Sequence, residues 1–404
     1  MARRVILHVG TPKTGTSYLQ DVLFRNRRRL PTRGLSYPAD RPDAHFLAGL
    51  DLMQLPWGGL ENEAVGAWEE LARAVRRWPG TSIVSHEILA AASRPQAERA
   101  LESLGLGAGA EVHLVLSVRD LTRQIPAEWQ ENLKHRSALS YRDFLDQIQD
   151  PARSGRVASW FWSVQELPAI LDRWAAHLPA DRVHLVTVPP SGADPDLLWQ
   201  RFVSVFRLGG LPLDLAGERA NPSLGVPETA LLRRLNQAVT RDLPPADYRP
   251  LVRELLAHRT LSQRTGSPRL ALPPQVRPWA EGLMASWVAE LGARGYDVVG
   301  DLADLAPTPA ADDYVDPDRV PERQIAAVAL DALRALLLES ARMRHEEELA
   351  REELHHSREA LDRAYLRPSY RLREKAVSAL ERGAVGRRAL GVYRWARGRS
   401  SRSA

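Results

Sequence analysis

The residues with the clearest chemical potential lie near the start of the chain: Gly10-Thr11-Pro12-Lys13-Thr14-Gly15-Thr16-Ser17. A short β-branched run from Val5 to Val9 leads into this glycine-bracketed loop, and Leu19, Val22 and Leu23 then recur at helical spacing. Strand, glycine loop and helix start together offer backbone N–H groups and the positive end of a helix to a phosphate. Lys13 adds a mobile cation inside the loop. The chemistry this predicts is the binding of a phosphorylated nucleotide. Of the 55 basic residues only three are lysines, Lys13, Lys134 and Lys375. Such a bias points to a GC-rich genome, where a lysine is the exception. Arginine does not replace it where a compact, rotatable ammonium is needed.

The loop is close to a Walker A motif but departs from it. G-x-x-x-x-G-K-[ST] places lysine directly after the second glycine, and here Thr16 stands there while the lysine sits at 13. Pro12-Lys13-Thr14-Gly15-Thr16-Ser17 after an N-terminal strand instead resembles the 5′-phosphosulfate loop of sulfotransferases that use 3′-phosphoadenosine 5′-phosphosulfate (PAPS), in their bacterial, carbohydrate-type or related branches. The resemblance covers roughly residues 4–240. Its second motif is the strand end Leu116-Ser117-Val118-Arg119-Asp120.

The resemblance implies PAPS as donor, cradled by Gly10 to Ser17, with Arg119 gripping the 3′-phosphate. A planar guanidinium pairs bidentately with phosphate oxygens, although an ion pair with Asp120 is the structural alternative for Arg119. The family's clamp is completed by a serine eight residues later. Ala127 occupies that position, which leaves Arg123, Gln124 or Ser117 to supply the missing donor.

Sulfuryl transfer needs charge stabilisation on the leaving phosphate, a base for the acceptor hydroxyl, and in-line positioning. Lys13 serves the first need. Three residues qualify for the second. His86, in Val84-Ser85-His86-Glu87, follows a strand much as the base histidine of the cytosolic sulfotransferases does. Glu87 matches the carboxylate bases of the carbohydrate-type branch. His45 lies in a loop that can face the site. No metal is required, no metal-ligand spacing is evident, and the absence of cysteine excludes thiolate sites and disulfides. The polar segment Arg123 to His135 offers Glu128, Gln130 and Lys134 to an acceptor pocket. Asn221-Pro222-Ser223-Leu224-Gly225 falls where the family's last nucleotide-contacting segment is expected.

These residues need a scaffold, and the pattern names one. Ser82–Ser85, Val112–Val118 and Val183–Val188 read as further buried strands, with helical stretches between them such as Glu61–Trp78 and Trp160–His177. Alternation of this kind predicts an α/β fold, a P-loop-like parallel sheet covered by helices on both faces, with ligands at the strands' carboxyl ends. The expected organisation is an α/β domain over 1–300, a Pro- and Asp-rich linker over 301–321, a long helix over 322–365 and a basic tail over 366–404.

With 404 residues, 44% hydrophobic content and 11 tryptophans, the chain has ample material for a core. From Arg363 onward 12 Arg/Lys face only Glu374 and Glu381, so the net charge of +5 hides an acidic body and a basic tail. Nothing in the body offers a basic face to nucleic acid. In the tail, Leu372, Val377, Leu380, Tyr393 and Trp395 interleave with arginines, which suits contact with anionic lipid. The first strand begins within five residues of Met1 and no run of 18 apolar residues occurs. A cytoplasmic protein, peripheral on the inner face of the plasma membrane, is the expectation. Its acceptor is expected to be a hydroxyl of a carbohydrate or glycolipid. Two rivals remain: a P-loop kinase or NTPase using Asp120 as its Walker B acid, and a non-catalytic nucleotide-fold scaffold docked on membranes.

Overall fold

Buried β-branched runs alternating with helices give, in the computed structural model, one all-parallel sheet. Its strands are β1 (Arg3–His8), β2 (Leu35–Ser36), β3 (Thr81–Ser85), β4 (Ala110–Val118), β5 (Val183–Thr187) and β6 (Asp297–Val299), in the order β2-β3-β1-β4-β5-β6. The structure describes residues 3–216, 223–307 and 314–366. The basic tail with its expected membrane contact, and Asn221 and Pro222, lie outside these.

The helices are α1 (Thr16–Asn26), α2 (Ala44–Met53), α3 (Ala67–Arg77), α4 (Arg94–Ser103), α5 (Leu121–Lys134), α6 (Tyr141–Gln149), α7 (Arg156–Gln165), α8 (Leu167–Trp174), α9 (Leu197–Phe206), α10 (Val226–Val239), α11 (Pro245–Tyr248), α12 (Arg277–Ala293) and α13 (Glu322–Leu366). Wide π-helical turns over Arg249–Thr260 continue directly from α11. The fold is the α/β class that the sequence predicts.

Side chains alternate across a strand, and both faces of the central strands are apolar. On one face Ile6, Ile83, Val115 and Val186 pack beneath Leu19 and Leu23 of α1 and Phe202 and Phe206 of α9. Each such burial contributes about 1.5–3 kcal/mol. The chain passes from β1 to β2 and β3 on one side, then crosses to β4 on the other, so the strand order reverses at β1. A crevice outside the carboxyl ends at such a reversal is where parallel sheets bind ligands. The glycine loop leaves β1 at that point.

Two helices are shorter than their patterns predict. The Glu61–Trp78 stretch becomes a helical turn at Leu60–Asn62 and then α3, because Gly66 at φ 83° starts the helix afresh. The Trp160–His177 stretch is cut at Glu166 into α7 and α8, with Pro168 in the first turn of α8. The chain divides into two compact units, Met1–Leu333 and Arg334–Ala404. The described parts of the segment read as a linker, 301–307 and 314–321, are packed within the first unit. Asp304 accepts hydrogen bonds from Thr187 (2.7 Å) and Arg201 (2.6 Å), Asp318 accepts from the backbone N–H groups of Tyr141 and Arg142, and Val320 is buried. In the second unit, α13 carries ion pairs at helical spacing, such as Arg351 with Glu347. Among the described residues no helix is long and apolar enough to cross a membrane.

Candidate functional site

The loop between β1 and α1 is fixed from below by a relay of hydroxyl and imidazole groups. Ser85 and His8 end β3 and β1, and Ser117 is the next-to-last residue of β4, with His8 Nδ1 at 2.8 Å from Ser85 Oγ and Nε2 at 3.0 Å from Ser117 Oγ. Ser117 Oγ lies 2.6 Å from Thr14 Oγ1, which is 2.6 Å from the Thr11 carbonyl. Only one proton arrangement satisfies every link, because a carbonyl can only accept. The Thr14 hydroxyl donates to Thr11, the Ser117 hydroxyl to Thr14, His8 Nε2–H to Ser117, and the Ser85 hydroxyl to His8 Nδ1. His8 is fully buried between the edges of Phe202 and Phe206, and burial lowers its pKa to about 4, so it stays neutral. The backbone adds two links, from Thr11 N–H to the Ser117 carbonyl (2.8 Å) and from Ser117 N–H to the Gly10 carbonyl (2.9 Å).

Gly10 and Gly15 both hold positive φ, 85° and 86°, and so does Lys13 at 65°. A side chain at Gly10 would place its Cβ 2.5 Å from Glu87 Cβ, so Glu87 packs directly on the loop. Lys13 is the strained position, since only glycine visits this region freely. Its carbonyl accepts a hydrogen bond from Arg119 Nη1 at 3.2 Å, and the Pro12 carbonyl accepts from Gln124. No acidic residue occupies the first turn of α1, which leaves the helix's positive end to whatever the loop binds.

Arg119 stands at the end of β4 with no carboxylate partner among the described residues. Asp120 is taken instead by Arg123, by the Thr122 hydroxyl and by the Arg123 backbone N–H, and so caps α5. Arg119 Nε is buried without a hydrogen bond, and so are Arg123 Nη2 and Gln124 Oε1. Burial, with Arg123 nearby, lowers the Arg119 pKa to about 10. Buried unpaired donors are costly, and an anion seated here would satisfy the two arginine nitrogens, though not Gln124 Oε1, which only accepts. Ser117 is no substitute for the absent clamp serine at Ala127, because the relay uses its hydroxyl. Arg123 keeps an unspent donor, Nη2, beside Arg119, whereas the unspent atom of Gln124 is an acceptor and its amide N–H is given to the Pro12 carbonyl.

The three base candidates fare differently. His45 accepts from Ser85 N–H on Nδ1 (3.2 Å) and donates from Nε2 to the Pro38 carbonyl (3.1 Å). Burial lowers its pKa to about 4. It has no free lone pair and is a structural histidine, against expectation. His86 accepts from Ile88 N–H on Nδ1 at 3.1 Å, so its neutral ring carries the proton on Nε2, and burial lowers its pKa. Burial works against the Glu87 carboxylate, but His86 and hydrogen bonds from Gln20 and Thr16 outweigh it and hold the pKa below the ordinary value.

A second group of charges, missed as a unit in the sequence, runs along α5. Glu128, Glu131 and Lys134 recur every third residue and so follow one strip of the helix. Glu131 forms an ion pair with Lys13 and also accepts from Arg253 (3.3 Å) and His135 (3.2 Å). Burial pushes the Glu131 carboxyl up, yet Lys13, His135 and Lys134 hold it well below the usual range. Glu128 is 3% exposed and accepts from Gln165 at 3.3 Å. Its pKa rises to about 7 through burial, with Lys13 opposing and Glu131 adding. Lys134 is 2% exposed, and its ammonium has no hydrogen bond or ion pair to a described residue. Burial and Lys13 lower its pKa to about 8. Gln130 is not part of this strip's chemistry. Its amide bonds both the N–H and the carbonyl of Leu224 at 3.0 Å, tying α5 to the chain before α10.

Beside this strip stands an aromatic wall. Phe46 lies 5.2 Å from His86 and 5.6 Å from Trp57, and Trp57 lies 5.9 Å from Trp160 and 5.8 Å from His135. Among the described residues no group of three His, Asp or Glu is placed to hold a metal ion. Fold and loop together define an α/β protein with a glycine-bracketed loop at the switch point of its parallel sheet. Compared with models of protein families, with curated proteins and with solved structures, the chain finds no significant match.

Proposed function

We propose that the chain is a sulfotransferase that moves a sulfuryl group from PAPS to a hydroxyl acceptor, a carbohydrate or glycolipid. The observation that carries this reading is the coupling of Lys13 to Arg119: the strand-end arginine, unpaired and partly desolvated, hydrogen-bonds the loop lysine's own carbonyl. Two cationic groups and a helix N-terminus thereby converge on one loop, which suits a ligand with two separated anionic groups. Arg119, with Arg123, would hold the 3′-phosphate. The loop N–H groups and Lys13 would hold the 5′-phosphosulfate. The donor supplies an activated sulfuryl group on a phosphate leaving group. Lys13 offsets the charge that builds on that phosphate.

Lys13 is held by Glu131 in this structure. To reach the donor it exchanges that carboxylate for phosphate, leaving Arg253 to neutralise Glu131 and His135 beside it at 3.2 Å. The aromatic wall of Phe46, Trp57 and Trp160 suits the apolar face of an acceptor ring, since aromatic side chains supply rigid contact area. The kinase reading needs Asp120 free for a metal ion, and Asp120 is spent on α5 and Arg123.

Sulfate release from labelled PAPS, in water and against a panel of sugars and glycolipids, tests the proposal. The wild-type protein turns PAPS over, and Lys13→Ala lowers that rate about 10²–10³-fold. Absence of turnover in the wild type would reduce the chain to a scaffold, and equal turnover in the two proteins would remove Lys13 from the mechanism. Association of the basic tail with anionic vesicles is a separate proposal, and Lys13→Ala leaves it unchanged.

A further inference from the structure

We infer that Glu128, rather than His86, Glu87 or His45, is the general base that takes the acceptor's proton, and that the acceptor docks between the α5 strip and the Phe46–Trp57–Trp160 wall. This rests on the sulfotransferase reading and adds to it the residue that completes the reaction.

Elimination comes first. Both ring nitrogens of His45 are engaged by backbone groups, Nδ1 as acceptor and Nε2 as donor. The His86 Nδ1 lone pair is engaged by Ile88 N–H, which leaves a proton on Nε2. Glu87 is tied to Gln20 at 2.8 Å on the α1 side of the loop, where its hydrogen bonds make it a poor base. Glu128 has the converse setting. One helical turn separates it from Glu131, the carboxylate that holds Lys13, so their Cβ atoms lie about 5–6 Å apart. It is nearly enclosed, and Gln165 fixes one carboxylate oxygen from α7. Trp160 also bonds it from α7 and forms part of the aromatic wall.

The charged groups that act on Glu128 are Lys13 from the loop and Glu131 from its own helix. Burial outweighs Lys13 and brings the carboxyl to about 7, where a base is matched to neutral operating pH. In the step itself the acceptor oxygen forms a bond to sulfur, and the bond from sulfur to the bridging phosphate oxygen breaks. The electron pair of that bond stays on the phosphate, whose charge Lys13 offsets. The acceptor's hydroxyl proton passes to the Glu128 carboxylate.

The test compares wild type, Glu128→Gln, Glu128→Asp and Glu87→Gln. Binding of 3′-phosphoadenosine 5′-phosphate is measured by calorimetry, and turnover of PAPS is measured with water and with the same acceptor panel. Glu128→Gln is isosteric and removes only the charge, so nucleotide affinity stays within about 2-fold while turnover falls about 10²–10⁴-fold. Glu128→Asp recovers part of it. The wild-type rate rises with pH through about 7, and that limb is absent in Glu128→Gln. Retained turnover in Glu128→Gln, or the loss falling on Glu87→Gln instead, overturns the assignment. Nucleotide binding by a wild type that turns over no PAPS overturns it too. Failure of wild type to bind the nucleotide at all overturns the sulfotransferase reading beneath it.

Discussion

The two ends of the same sheet carry similar residues and treat them oppositely. At the amino ends of the strands, Arg4 holds both oxygens of Glu111 at 2.8 Å, and Glu111 meets His113 at 2.9 Å. His113 meets His184 at 2.8 Å, and His184 meets Asp297 at 2.6 Å. That chain runs from β1 across β4 and β5 to β6 and closes on carboxylates. Its hydrogen bond from Arg4 lowers the Glu111 pKa to about 2. At the carboxyl ends Arg119, Arg123 and Gln124 each keep a buried polar atom without a partner, and Glu128 is held near neutrality. Arg4 also keeps a buried Nε without a partner, but its charge is paired with Glu111, whereas Arg119 has no carboxylate partner among the described residues; a buried cation left without a counter-charge is shaped for an anion.

Replacing one arginine at each end sharpens this contrast, and the largest effect belongs to Arg119. Arg119→Met lowers affinity for 3′-phosphoadenosine 5′-phosphate about 100-fold by calorimetry, the loss of charge-assisted hydrogen bonds worth roughly 1.5–3 kcal/mol. Its thermal midpoint changes little, because relief of a buried cation without a carboxylate partner offsets the lost hydrogen bond to the Lys13 carbonyl. Unchanged affinity in that variant would break the comparison.

Acid comes next. His8 and His45 sit near 4 in the fold against 6.5 when unfolded, so below 6.5 the unfolded chain binds more protons. Stability is therefore fully present above pH 6.5 and falls as pH drops toward 4, by about 1.4 kcal/mol per pH unit for each imidazole. Urea unfolding across that range reads the slope, and replacing His8 by asparagine reduces it by one proton. The smallest effect is at the amino end. Arg4→Met costs about 1 kcal/mol of stability, as a half-exposed pair should, and leaves nucleotide affinity unchanged.

The sequence discloses the parts whose local residue types dictate geometry. Gly10 and Gly15 supply positive φ at the turns, and β-branched runs mark β1, β3, β4 and β5. The edge strands Leu35–Ser36 and Asp297–Val299 are too short to show any alternation. The loop and Arg119 were legible because their spacing is local. The relay was not, because Ser85, His8 and Ser117 meet only through strand register, although a polar residue at or next to the end of each of three apolar runs is the trace it leaves. Glu131 escaped because its partner Lys13 lies 118 residues away. The raised pKa of Glu128 depends on burial that no spacing encodes.

The central claim is that the carboxyl end of this sheet holds a nucleotide bearing a 3′-phosphate. Calorimetric titration of the wild-type protein with 3′-phosphoadenosine 5′-phosphate and, separately, with ATP and magnesium tests it most directly. Micromolar binding of the first and none of the second is the predicted result. Preference for ATP, or binding of neither, would contradict it.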